Sequence, residues 1–103
     1  MINRIKENEE RLDNILLNIN ELNNVLDKFK DKYDDIVLLN KYYGSDDWFK
    51  DKVAYEKNNI SNIKAGVLSE DAIWNMNEDV KEIIIALEEI INIYKNKSLW
   101  FIF

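Results

Sequence analysis

Tyr42-Tyr43-Gly44-Ser45-Asp46-Asp47-Trp48-Phe49-Lys50-Asp51 is the first interruption of a helical pattern that begins near Met1. Gly44 is the first glycine of the chain, and no proline occurs anywhere in it. A glycine behind a long helix predicts a left-handed C-terminal cap, because it lacks the Cβ that penalises positive φ. Ser45 then offers a hydroxyl to the free N–H groups of a second helix. Asp46 and Asp47 put negative charge in its first turn, where the helix dipole favours it. The stretch therefore ends one helix, turns the chain and begins another.

Upstream, from Ile5 to Tyr43, the apolar residues follow a heptad. One register collects Ile5, Leu12, Ile19, Leu26 and Tyr33; the other collects Ile15, Leu22, Phe29, Ile36 and Tyr43, with Asn8 continuing it toward the N-terminus. Steps alternating between three and four mark a helix with a single narrow apolar seam, as in coiled coils. An unbroken helix of about 40 residues would be roughly 60 Å long and must lie against a partner. Asn8 and Asn40 fall on the seam near its two ends and are expected to face water there. Val37-Leu38-Leu39 widens the stripe just before Gly44, so more than one element should pack at that end.

Downstream, a short second helix is expected from about Ser45 to Lys57, with Trp48, Phe49, Val53 and Ala54 or Tyr55 facing inward. Asn58 to Gly66 has loop composition. Gly66-Val67-Leu68-Ser69-Glu70-Asp71-Ala72-Ile73-Trp74 is the clearest helix start in the chain. Ser69 is placed as N-cap, Glu70 and Asp71 sit in the first turn, and Leu68 can staple onto Ile73. The third helix, about Glu70 to Lys95, repeats the heptad through Ile73, Met76, Val80, Ile83, Leu87, Ile90 and Tyr94. Ile84, Ile85, Ile91 and Ile93 widen its face beyond what one seam can cover.

The architecture expected is all-α: three helices, the long first and third forming an antiparallel, coiled-coil-like hairpin with the short second helix capping one end. Residues 1–97 read as a single helical domain and 98–103 as an apolar C-terminal tail. In the hairpin the Tyr42–Asp51 and Gly66–Trp74 stretches meet.

The bulk chemistry excludes much. The chain has 103 residues, 47% of them hydrophobic, enough for one modest core. It contains no cysteine and no histidine. Disulfides, thiolate zinc sites and nucleophile–histidine catalysis are thereby ruled out, and carboxylates and tyrosines remain as the acid/base groups. A net charge of −6 opposes ordinary binding to nucleic acid, which needs a basic face. The N-terminal residues have no apolar core of signal-peptide type, and no run approaches the ~20 apolar residues that span a bilayer. A cytoplasmic protein without cofactors is expected.

Two signature segments carry a family resemblance. Tyr42-Tyr43-Gly44-Ser45 with Trp48 and Asp51, and then Gly66-Val67-Leu68-Ser69-Glu70-Asp71-Ala72 with Trp74, resemble a family of small bacterial and phage proteins catalogued as domain of unknown function 4298. The likeness covers roughly residues 3–95, and the tail after Lys95 departs from the family's pattern. The resemblance implies a small helical protein with no established activity, and it points to the two segments as the place to look.

Three constellations are candidates for function. Asp46, Asp47, Asp51, Glu70 and Asp71 would converge at the capped end, either as helix-start acids or as an oxygen-rich site for Mg²⁺ or Ca²⁺. No calcium-loop spacing supports the second reading, and no metal ligand is assigned. Tyr42, Tyr43, Trp48 and Trp74 either plug the wide end of the hairpin or form an aromatic recognition surface. Trp100, Phe101 and Phe103 in the tail either fold back or contact another molecule. The partner-binding set is therefore Tyr42, Tyr43, Asp47, Trp48, Asp51, Glu70, Asp71, Trp74, Trp100, Phe101 and Phe103, with no catalytic residue. The function expected is a non-catalytic protein-binding module in a regulatory or inhibitory role, with another protein as partner. A homodimer through the surplus apolar faces or the tail is a further expectation. The alternatives are a phage-encoded inhibitor of a host defence nuclease of the CRISPR type, and a carboxylate-based metal-dependent enzyme.

Overall fold

The computed structural model describes residues 1–58 and 63–97. The protein is all-α. Helix α1 runs unbroken from Ile2–Tyr43, α2 spans Asp46–Asn58, a 3-10 turn covers Gly66–Leu68, and α3 spans Glu70–Lys97. No strand occurs among the described residues. The expected apolar tail, residues 98–103, lies outside the described residues. By its contacts the chain divides into two units, Met1–Leu39 and Asn40–Phe103.

The first unit is helix alone. It buries no residue, and its heptad positions Ile5, Leu12, Ile15, Ile19 and Leu22 are 46 to 56% exposed. The Phe29 and Tyr33 rings, one turn apart, meet edge to face with centroids 6.2 Å apart. Lys30–Asp27 and Lys32–Asp35 form ion pairs at 3.9 and 3.8 Å on the exposed surface, a geometry that contributes little. Asn8 does face water, as expected. Its Nδ2 donates to the Arg4 carbonyl at 2.8 Å, and its Oδ1 accepts from Arg11 Nη1 at 3.1 Å.

The second unit begins where α1 ends. Among its described residues, Trp48 (7% exposed) and Ile73 (2%) are buried. Helix charges follow the dipole: Asp46 and Asp47 open α2, Lys57 closes it, Glu70 and Asp71 open α3, and Lys95 and Lys97 close it. The 3-10 turn packs against both α2 and α3. Ser69 has the extended backbone of a helix cap, with φ −88° and ψ 127°.

Three expectations need correction. Gly44 is not in the left-handed region. The helix ends instead by a tightening turn, with Gly44 N–H donating to the Asn40 carbonyl and Ser45 N–H to the Tyr42 carbonyl, both at 3.0 Å. The Ser45 hydroxyl also donates to the Tyr42 carbonyl at 2.5 Å, so the last carbonyls are satisfied without positive φ. A Cβ at Gly44 would meet nothing closer than 3.5 Å. Second, Phe49 does not face inward but stands 64% exposed. Trp48 occupies the inner position, and the adjacent residue lies about 100° around the helix from it. Third, Asn40 does not face water. It is half-buried and exchanges reciprocal amide hydrogen bonds with Asn77, at 3.0 and 2.8 Å. A polar residue on an apolar seam is stable there because its amide finds a matching amide.

That pair sets the last turn of α1 beside the second turn of α3. Asn77→Leu removes both bonds from Asn40 and is expected to cost about 1–3 kcal/mol. Replacing both asparagines by leucine should recover most of the loss. A double-mutant cycle in urea measures the coupling, and additive effects would contradict the pairing.

Candidate functional site

Trp48 organises the site. Ser45 Oγ accepts the Trp48 backbone N–H at 3.3 Å, capping α2 and setting the rotation of its first turn. The indole then points inward, where Nε1–H donates to the Val67 carbonyl at 2.9 Å. That bond ties the first signature segment to the second, and satisfies a carbonyl that the 3-10 turn leaves open. Tyr43 meets the indole edge to face at 5.0 Å between centroids. Lys52, one turn after Trp48, lays its ammonium 5.2 Å from the ring centre and 3.8 Å from Glu70 Oε1. One lysine thus bridges α2 to the first turn of α3, although the exposure of Glu70 keeps that ion pair's contribution small.

On the outer side, Tyr42 donates its hydroxyl to Asp51 Oδ2 at 2.7 Å. This bond, together with partial desolvation and the negative charges of Asp51 and Asp47, pushes the phenol from 10.0 up to about 12. The neutral phenol is the form the fold prefers. Its contribution to stability is whole below pH 10 and is lost as pH rises from there through about 12. In an ultraviolet titration of phenolate absorbance, Tyr42→Phe should delete a phenol titrating near 12, and Asp51→Asn should move it toward 10. A wild-type curve with no component near 12 would contradict the bond.

Tyr42 and Asp51 also border a pocket of about 310 Å³. Ala54 and Tyr55 of α2 form one wall, and Ile63, Lys64, Ala65, Val67 and Leu68 form the other. Its lining is chiefly apolar, with the Tyr42–Asp51 pair and Lys64 as the polar groups.

The expected partner-binding residues separate into groups. Tyr42, Tyr43, Trp48, Asp51 and Glu70 are joined by the contacts above. Asp47 is exposed beside them and acts on Tyr42 through its charge. Asp71 is exposed in the first turn of α3, and Trp74 is 61% exposed. Trp100, Phe101 and Phe103 fall outside the described residues. Among the described residues no three carboxylates gather closely enough to hold a metal ion. Asp46, Asp47, Asp51, Glu70 and Asp71 are instead spread over two helix starts, with Asp51 bonded to Tyr42 and Glu70 paired with Lys52.

Sequence reasoning missed Lys52 and Asn77. The spacing of Lys52 four residues after Trp48 was a usable signal, since such pairs share a helix face. Asn77 carried none except the matching asparagine on the first helix. Val67 contributes only a backbone carbonyl, which no side-chain pattern reveals.

The knot of side chains around Trp48, made by Tyr43, Lys52, Glu70 and the Val67 carbonyl, defines a class first: a small all-α protein whose two signature segments are locked together through one indole. The chain belongs to the family described as Domain of unknown function (DUF4298), whose model matches residues 5–96. No curated protein and no solved structure matches the chain. No helix among the described residues is long and apolar enough to cross a membrane.

Proposed function

We propose that this protein is a non-catalytic protein-binding module with a regulatory or inhibitory role, and that the pocket beside the knot is its recognition site. The observation that carries this reading is the pocket's construction from both signature segments, with an apolar lining and a hydrogen-bonded Tyr42–Asp51 pair at its edge. Drug-sized ligands occupy cavities of about 300–1,000 Å³, and this pocket stands at the bottom of that range. Its size suits a single anchoring side chain of a protein partner. The Asp51 carboxylate has acceptor capacity beyond the single bond from Tyr42, so a donor flanking the partner's apolar anchor would be received there.

A net charge of −6 favours a partner with a basic surface. The narrower form of the proposal is therefore an inhibitor that occupies the basic nucleic-acid channel of a defence nuclease. The rival metal-dependent enzyme draws no support from the carboxylates, which do not group among the described residues.

The test is affinity capture from the source cell with the full chain, run in parallel with Ala54→Arg, which fills the pocket mouth from a half-buried helical position. A protein retained by the wild type and released by the variant, with weaker retention at higher salt, supports the proposal. Identical captured sets from the two would overturn it.

A further inference from the structure

The N-terminal half of α1 poses a separate problem, independent of the pocket. It belongs to the first unit, a helix that buries none of its residues. Its seam positions Ile5, Leu12, Ile15 and Ile19 are 48 to 56% exposed. These aliphatic side chains stand half bare, and a helix with one exposed apolar seam gains most of its stability from packing.

We infer that this segment packs against the same segment of a second copy as a parallel two-stranded coiled coil. The flanking residues decide both occupant and direction. With Ile5, Leu12 and Ile19 at one seam position and Asn8, Ile15 and Leu22 at the other, Arg4 and Glu9 flank the seam on opposite sides. A parallel pair sets Arg4 of each copy against Glu9 of the other, two attractive contacts by symmetry. It also sets Asn8 against Asn8. Each Asn8 amide spends one N–H on Arg4 and accepts one bond from Arg11, and so keeps a second N–H and a second lone pair for its counterpart. The Asn40–Asn77 exchange shows that geometry within this same protein.

The antiparallel alignment that best matches the seam is poorer on both counts. It opposes Asn8 to Ile19, leaving an amide in an apolar layer, and carries Arg4 of one copy far from Glu9 of the other. Leu16 and Val25, both exposed, widen the stripe, so the two copies together would bury on the order of 1,000 Å². That is the lower end of a specific interface and implies a dimer that dissociates on dilution.

Sedimentation equilibrium of the full chain tests the inference. The expected result is a mass approaching twice the chain mass at high concentration, and a monomer for Ile15→Asp with helical circular dichroism in the second unit retained. Ile15 is exposed in the single chain, so the substitution leaves the knot untouched. Glu9→Arg should weaken association roughly tenfold through two like-charge contacts, and Arg4→Glu with Glu9→Arg should restore it. Because the chain has no cysteine, Ile5→Cys reports direction. Rapid disulfide formation between copies marks the parallel pair, whereas the antiparallel one separates the two positions by about 25 Å. A wild type that stays monomeric, a dimer that survives Ile15→Asp, or an Ile5→Cys dimer that does not cross-link would each overturn the inference. Capture of a partner at the pocket should be unaffected by Ile15→Asp, which keeps this test separate from that of the recognition site.

Discussion

Trp48→Ala should lower the stability of the second unit by about 3–5 kcal/mol, the usual cost of removing a buried large aromatic. The loss has three components in this protein. The indole is 7% exposed, its Nε1–H holds the Val67 carbonyl, and its edge and face are covered by Tyr43 and the Lys52 ammonium. Trp48→Phe separates them, since it keeps an aromatic body against Tyr43 but strips the donor from Val67. Its expected cost is about 1–3 kcal/mol, set by the carbonyl left without that bond. Urea unfolding followed by circular dichroism measures both. A Trp48→Ala midpoint equal to the wild type would mean that the two signature segments are held together by something else.

Ile73→Ala should cost about 2–5 kcal/mol by the same measurement. Ile73 is 2% exposed, the most enclosed residue of the described chain, and sits in the first turn of α3 where the 3-10 turn packs. Ile73→Val, which removes one methylene, should cost about 0.5–1.5 kcal/mol. If Ile73→Ala proved no more costly than Ile73→Val, the void would have collapsed and the enclosure would be looser than its burial indicates.

The contrast between Trp48 and Phe49 shows where local pattern stops. Both are large aromatics at adjacent positions in the same helix start, and composition alone treats them alike. Only the rotation of α2, set when Ser45 caps the Trp48 N–H, turns one inward and leaves the other 64% exposed. Trp74 is a similar case, since its place one residue after the buried Ile73 puts it outward. Gly44 teaches the reverse lesson. A glycine after a helix signals a left-handed cap, yet here the Ser45 hydroxyl satisfies the Tyr42 carbonyl and the backbone stays in an ordinary conformation.

What the sequence determined by itself was everything that depends on near neighbours along the chain. The heptad made α1 a helix from Ile2–Tyr43, the Ser45 and Ser69 positions marked the starts of α2 and α3, and missing cysteine and histidine narrowed the chemistry. These follow from hydrogen bonds and periodicities spanning a few residues, so they are written locally. Tertiary structure alone decided that Asn40 finds Asn77, that Trp48 reaches Val67 and that Lys52 joins Glu70. Those contacts close over long stretches of chain, and their partners are chosen by packing, which no local pattern encodes.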